Sequence, residues 1–285
     1  MDKVELLEKY SSNLAGSKNR NHYLSYARDF LDHADGLNKE SVVKYMERLR
    51  RAKRSAGTIN FAFRVVRRLF VVNGIEWPFS RGEAPQIGQR DEEKPGLKLE
   101  IVKGMIETAK IGNLNPLEAY CLALSTTYGL RRGEICLLTK TDVNLKSELI
   151  FIPTLKGGNQ RFHLIPHEIK AYLAEYDFER QHSETKISQV FWQIVNKSGM
   201  EQLKVHKLGW HAIRRTLLHT LYDAGLNPQA IHFFMNWKGA EPSYAMDTRY
   251  YATSLIGLDG SEAIGREAES DKEIFAKHPL LEFWR

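Results

Sequence analysis

Cysteine is scarce: the chain of 285 residues has two, Cys121 and Cys136. Both sit in apolar surroundings, a placement that excludes a disulfide framework or a zinc site and predicts buried, reduced thiols. Long hydrophobic runs are also missing. None approaches the ~20 apolar residues that span a bilayer, so no membrane partner is expected. The opening Met-Asp-Lys-Val-Glu lacks the basic-then-apolar pattern of a secretory signal, and a cytoplasmic protein is the simplest expectation. No Gly-x-x-x-x-Gly-Lys phosphate loop occurs, so nucleotide hydrolysis is not indicated. His163 and His167 are four apart, but a proline lies between them and no third ligand is evident, so no metal is expected.

What is present is a soluble composition, 42% hydrophobic and 27% charged, long enough for two ordinary domains. The net charge of +6 is unevenly placed. Residues 1–90 carry 17 Lys and Arg against 10 Asp and Glu, and the remainder 24 against 25. Between residues 44 and 68 the ratio is nine to one. Such focus favours a polyanionic partner, although helical proteins also carry basic faces for solubility.

Residues 1–79 predict a helical domain. Tyr23, Ala27, Phe30 and Leu31 give one apolar face. Val42, Val43, Met46 and Leu49 give a second, and Ile59, Ala62, Phe63, Val66, Leu69 and Phe70 a third. Arg64, Arg67 and Arg68 fall at i, i+3 and i+4 and project from the side away from the core. Arg48, Arg50, Arg51, Lys53 and Arg54 cluster just before them. Guanidinium groups in a row suit a phosphate backbone because each offers forked donors and a permanent charge. Residues 80–96 are polar, with two prolines and three glycines, and predict a linker.

A second domain, 97–285, opens with a helix from about Lys98 to Lys110. Asn115-Pro116 with Glu118 then predicts a capped, buried helix running to Tyr128 and closed by Gly129. Leu130-Arg131-Arg132-Gly133-Glu134 follows, with Arg131 a candidate anion ligand and Glu134 its candidate support. Residues 148–153 and 161–166 read as strands of a hairpin with Lys156 near its tip. A helix is expected over 168–175. Residues 176–205 are ambiguous, with Val190, Phe191, Ile194 and Val195 expected to be buried. In the stretch from Trp210 to Tyr251, His211 and Arg214 share a helix face and are expected to be held out from an apolar stripe of Trp210, Ile213, Leu217, Leu218 and Leu221. Donors for an anion followed by a phenol suggest phosphate chemistry with tyrosine as nucleophile.

In this order, Gly129-Leu-Arg131-Arg-Gly-Glu134, Lys156, His211-Ala-Ile-Arg214, Trp237 and Arg249-Tyr250 resemble the tyrosine recombinases, the phage integrase family, over residues 97–255. The resemblance implies a mainly α fold: an N-terminal helical DNA clamp, the SAM-like core-binding domain, and a catalytic domain with a small antiparallel sheet. It implies site-specific cleavage and rejoining of double-stranded DNA through a 3′-phosphotyrosine intermediate. Arg131 and Arg214 would hold the scissile phosphate. His211 would complete the cradle or manage the nucleophile's proton, Lys156 would protonate the leaving 5′ oxygen, and Trp237 would donate a hydrogen bond and pack. Tyr250, which follows Arg249, is the expected nucleophile, with the neighbouring Tyr251 as its competitor. The spacing from Trp237 to Tyr250 is longer than in many members and is similar to that of integrases from archaeal mobile elements. The chemistry conserves the phosphodiester's free energy, so no cofactor, ATP or metal is expected.

Two rivals accompany this reading, a type IB topoisomerase-like relaxing enzyme and a catalytically silent DNA-binding relative. Chain size and the helical clamp favour recombination, and retention of Arg131, Lys156, His211, Arg214 and a tyrosine disfavours silence. The apolar residues of the C-terminal stretch 279–285 are expected to be exposed and to dock on a neighbouring protomer, linking four subunits on two duplexes.

Overall fold

In the computed structural model, residues 2–17, 19–80, 83, 96–155, 160–178, 181–206, 208–236 and 271–285 are described. The chain divides into two compact units, residues 1–93 and 94–285. Its architecture is mainly helical, with a small antiparallel sheet.

The first unit contains α1 (Lys3–Asn13), α2 (Arg20–His33), α3 (Lys39–Arg51) and α4 (Ala56–Val72). Three of these helices begin on a side-chain cap, in which Asp2, Asn38 or Ser55 accepts an orphan backbone N–H. The expected apolar faces meet in one core, with Phe30, Met46, Val66, Leu69 and Phe70 completely buried. Tyr10 of α1 joins them. Val43 and Phe63, placed on the inner faces by spacing, are only half-buried.

In the second unit, α5 (Leu99–Lys110) is followed by α6 (Pro116–Tyr128). Every residue of α6 from Glu118 to Tyr128 is buried, as expected of a helix apolar on all sides. Its start is the expected capping box: Glu118 N donates to Asn115 Oδ1 at 3.0 Å, and Asn115 N donates to Glu118 Oε2 at 2.8 Å. The chain leaves α6 through Gly129 at φ 63°, where an added Cβ would stand 2.8 Å from Met235. Conformation and space both require glycine there.

After α7 (Arg132–Leu137), strands β1 (Val143–Asn144), β2 (Leu149–Ile152) and β3 (Arg161–Leu164) pair antiparallel in the order β1-β2-β3. Ile150 faces His163 and Ile152 faces Arg161 across the hairpin. Then come α8 (His167–Ala174) and α9 (Glu184–Lys197), the latter within the stretch that spacing left ambiguous. Val190, Phe191, Ile194 and Val195 are buried on α9. α10 (Trp210–Asp223) and α11 (Pro228–Phe234) precede α12 (Asp271–Ala276) and a C-terminal 3-10 turn, Leu281–Phe283. No helix among the described residues is long and apolar enough to cross a membrane.

Two expectations are corrected. Cys121 is buried, but Cys136 is only half-buried. The C-terminal stretch is not exposed: Leu280, Leu281 and Trp284 are buried within their own unit. Trp284 Nε1 donates to Thr126 Oγ1 at 3.0 Å, and His278 Nε2 lies 2.9 Å from Thr127 O. The end of α6 offers a polar rim and an apolar slot, and a short apolar segment of the same chain fills them.

Candidate functional site

The site begins where α6 stops. The αL turn at Gly129 aims its carbonyl toward α10, and Arg131 follows at the start of α7. Arg131 is braced twice by one carboxylate: Glu134 accepts from Arg131 N at 2.8 Å and from Arg131 Nη1 at 2.6 Å. The Glu134 side chain is 2% exposed and that of Arg131 is 23% exposed, so the carboxylate is spent on the arginine while the guanidinium keeps an open side.

Arg214 does not stand out from the apolar stripe of α10, as spacing suggested. It is buried within it. Its Nη1 donates to Gly129 O at 2.6 Å and its Nη2 to Met235 O at 2.8 Å. Gly129 and Met235 are the C-caps of α6 and α11, so one guanidinium on α10 ties together two helix ends. Burial, then the nearby Arg131 charge, push the Arg214 pKa down to about 10, and Glu134 opposes the shift. Arg214 therefore stays charged at neutral pH. Two guanidinium groups and one carboxylate thus share a partly desolvated corner, an arrangement of fixed donors that suits an anion.

His211, one turn earlier on α10, is exposed. Trp210 anchors this end of the helix, with its Nε1 donating to Ile187 O at 2.7 Å. Arg131, Glu134 and Arg214 are thus assembled, with His211 on the same helix as Arg214. Lys156, Trp237, Tyr250 and its competitor Tyr251 lie outside the described residues.

The basic set of the first unit lies mostly at the surface, where Arg51 is 3.7 Å from Glu47 and Arg64 donates to Asn60 O at 3.4 Å. Arg51, Lys53, Arg54, Arg64 and Arg67 are exposed. Arg48 is half-buried, donates to Asp29 and lies 5.3 Å over the Tyr45 ring. Arg68 donates to Asn13 at 2.9 Å and lies 5.9 Å over Tyr23. Arg48 and Arg68 are already engaged within the fold. Lys53 holds φ 53° in the turn between α3 and α4, a conformation that favours glycine.

Spacing also missed a buried polar cluster on β3. Arg161 is 1% exposed and His163 fully buried, and both reach Asp271. The signal was available: Arg161 and His163 are two apart and pair with Ile152 and Ile150, so they face the core.

The phage integrase family model matches residues 97–254, more than half of the chain. The chain belongs to the phage integrase family. It is 27% identical over 225 residues to tyrosine recombinase XerA of Thermococcus kodakarensis, covering 73% of this chain and 77% of the relative. A lambda integrase dimer bound to a COC′ core site has a similar fold, with TM-score 0.63 at 13% identity over 84% of this chain and 96% of that one. So does the Tn1549 transposon integrase in complex with transposon right end DNA, with TM-score 0.62 at 17% identity over 95% and 99%.

Proposed function

We propose that this phage integrase family member is a site-specific DNA recombinase that cuts and rejoins double-stranded DNA through a 3′-phosphotyrosine intermediate. The observation that carries the proposal is the Arg131–Glu134–Arg214 corner. Glu134 braces Arg131 directly and acts on Arg214 through its charge, and the more deeply buried Arg214 is held in place by the Gly129 and Met235 carbonyls. A scissile phosphate is an anion that two fixed guanidinium groups suit. The non-bridging oxygens gain charge as phosphorus becomes five-coordinate, and donors already fixed in position stabilise that state without reorganising.

In the proposed reaction the Tyr250 phenol oxygen attacks phosphorus, the bond to the 5′ oxygen breaks, and Lys156 transfers a proton to that leaving oxygen. His211 accepts the phenol's proton or donates to the phosphate. Trp237 donates one hydrogen bond from its indole and does not titrate. The reverse attack by a 5′ hydroxyl restores the phosphodiester, so the scheme has no step that uses ATP or a metal. The exposed Arg51, Lys53, Arg54, Arg64 and Arg67 bind the DNA backbone, with Arg48 and Arg68 set beside them by their protein partners. In this scheme residues 1–79 form the clamp, 80–96 the linker and 97–285 the catalytic domain. Four protomers bring two duplexes together. The dimeric assembly of the lambda integrase with a core site supports partnership on DNA.

The test is a nicked duplex carrying the target site, resolved on a denaturing gel. Wild-type protein is expected to form a covalent adduct and Tyr250→Phe to form none. An adduct that survives Tyr250→Phe but is lost in Tyr251→Phe moves the nucleophile by one residue. No wild-type adduct overturns the enzymatic proposal.

A further inference from the structure

The buried cluster on β3 joins parts of the chain that are far apart in sequence. His163 Nδ1 lies 3.0 Å from Asp271 Oδ2, and on the other side of the same ring Nε2 lies 3.3 Å from Asn236 Oδ1. Asn236 and Asp271 are 4% and 1% exposed. They are the residues on either side of 237–270, the stretch that contains Trp237, Arg249 and Tyr250. One imidazole therefore stands between the two residues that flank that stretch.

Chemistry sets how the ring is used. Asp271 also accepts from Arg161 and from Leu164 N at 3.0 Å. A carboxylate only accepts, so His163 must present Nδ1–H to it. Burial keeps the ring neutral, which makes Nε2 an acceptor. The Asn236 amide then presents its nitrogen, since its oxygen and nitrogen exchange by a half-turn. Arg161 and Asp271 balance one another's charge, and Arg161 lies 4.2 Å over the Phe233 ring of α11. Tyr128 and Phe234 each lie 5.4 Å from the imidazole. The cluster is packed and charge-balanced, and Asn236 keeps φ 56°.

We propose that His163 is a positioning residue: with Asn236 and Asp271 it forms a buried clasp that closes the base of residues 237–270 on β3. The proposal rests on the recombinase reading, in which that stretch carries the nucleophile. β3 starts five residues after Lys156, so one short strand links the base of the tyrosine segment to the hairpin that carries the general acid. Holding Asn236 and Asp271 on one ring fixes where that stretch starts and ends before any DNA is bound. Nucleophile and acid then share a frame, and small misplacements of reacting groups are costly.

The cleanest variant is Asn236→Gly, which removes the amide arm while accepting the positive φ without strain. His163→Phe keeps the ring packing and removes both hydrogen bonds. His163→Gln keeps one donor and one acceptor. On the nicked duplex, Asn236→Gly and His163→Phe are expected to form adduct about tenfold or more slowly than wild type, with duplex affinity changed by less than about twofold. His163→Gln is expected to recover much of the rate. Adduct rates matching wild type in both variants overturn the clasp, as does a loss shared equally by DNA affinity or a His163→Gln protein no faster than His163→Phe. Trypsin gives a readout that needs no chemistry. Cleavage after Lys238, Arg249 and Arg266 is expected to be faster in Asn236→Gly and His163→Phe than in wild type, and unchanged cleavage overturns the clasp. A wild-type protein that forms no adduct overturns the recombinase reading, and the trypsin result then decides the clasp alone.

Discussion

The two units treat charge in opposite ways. Among the described residues of the first unit, the buried polar set is Ser41, and the arginines and lysines lie at or near the surface. The second unit buries Glu118, Glu134, Arg161, His163, Arg214, Asp271 and His278. Surface charge needs little support, because water solvates it and salt screens it. Buried charge is tolerated only with partners in place, and each of these groups has a carboxylate, a carbonyl or a backbone N–H beside it. The first arrangement suits contact with a long, regularly charged partner. The second suits holding a few groups in fixed geometry.

The largest expected effect tests the second arrangement through its apolar closure. Deleting residues 279–285 uncovers the slot that Leu280, Leu281 and Trp284 fill. Three buried side chains at roughly 1.5–3 kcal/mol each approach the whole stability of a domain. Thermal unfolding of the truncated protein is expected to lose the cooperative transition of the second unit. A truncated protein that melts like wild type would place the segment outside the core.

Next comes the buried cation. Arg214→Ala removes a fixed cation from the proposed phosphate site, and adduct formation is expected to fall about 10²- to 10³-fold. The Gly129 and Met235 carbonyls lose their donors, which costs roughly 1–3 kcal/mol in denaturant unfolding. Loss of rate with no loss of stability would mean that water replaces the guanidinium, and the contrast between the units would weaken.

The smallest effect belongs to the first unit. Arg67→Ala is expected to change stability by less than about 0.5 kcal/mol. It should lower the salt dependence of duplex binding by about one phosphate contact, a change of roughly 0.9 in log–log slope. A destabilisation equal to that of Arg214→Ala would erase the distinction drawn between the units.

Legibility in the sequence followed the range of the interactions. The faces of α2, α3 and α4, the Asn115–Glu118 box and the glycine after Tyr128 all depend on neighbours within a few residues, and each was readable. α9 was harder, because its buried Ile187, Val190, Ile194 and Val195 suit a strand as well as a helix by composition. β1 has two residues and little pattern to show. At the site, the order Arg131, His211, Arg214 was legible as a family likeness. The burial of Arg214 was not, since helix spacing alone puts it beside the exposed His211.

By itself the sequence determined the helical faces of α2, α3 and α4 and the capped start of α6, where the positive charge concentrates, and which residue types could grip a phosphate. Periodicity, capping and charge density are local properties, and they survive without a fold. Only the tertiary structure decided that Arg214 is buried between the carbonyls of Gly129 and Met235, that the C-terminal stretch closes its own domain, and that His163 stands between Asn236 and Asp271. Each of those facts joins residues tens of positions or more apart. Their meeting is set by how helices and strands pack, and no local pattern encodes it.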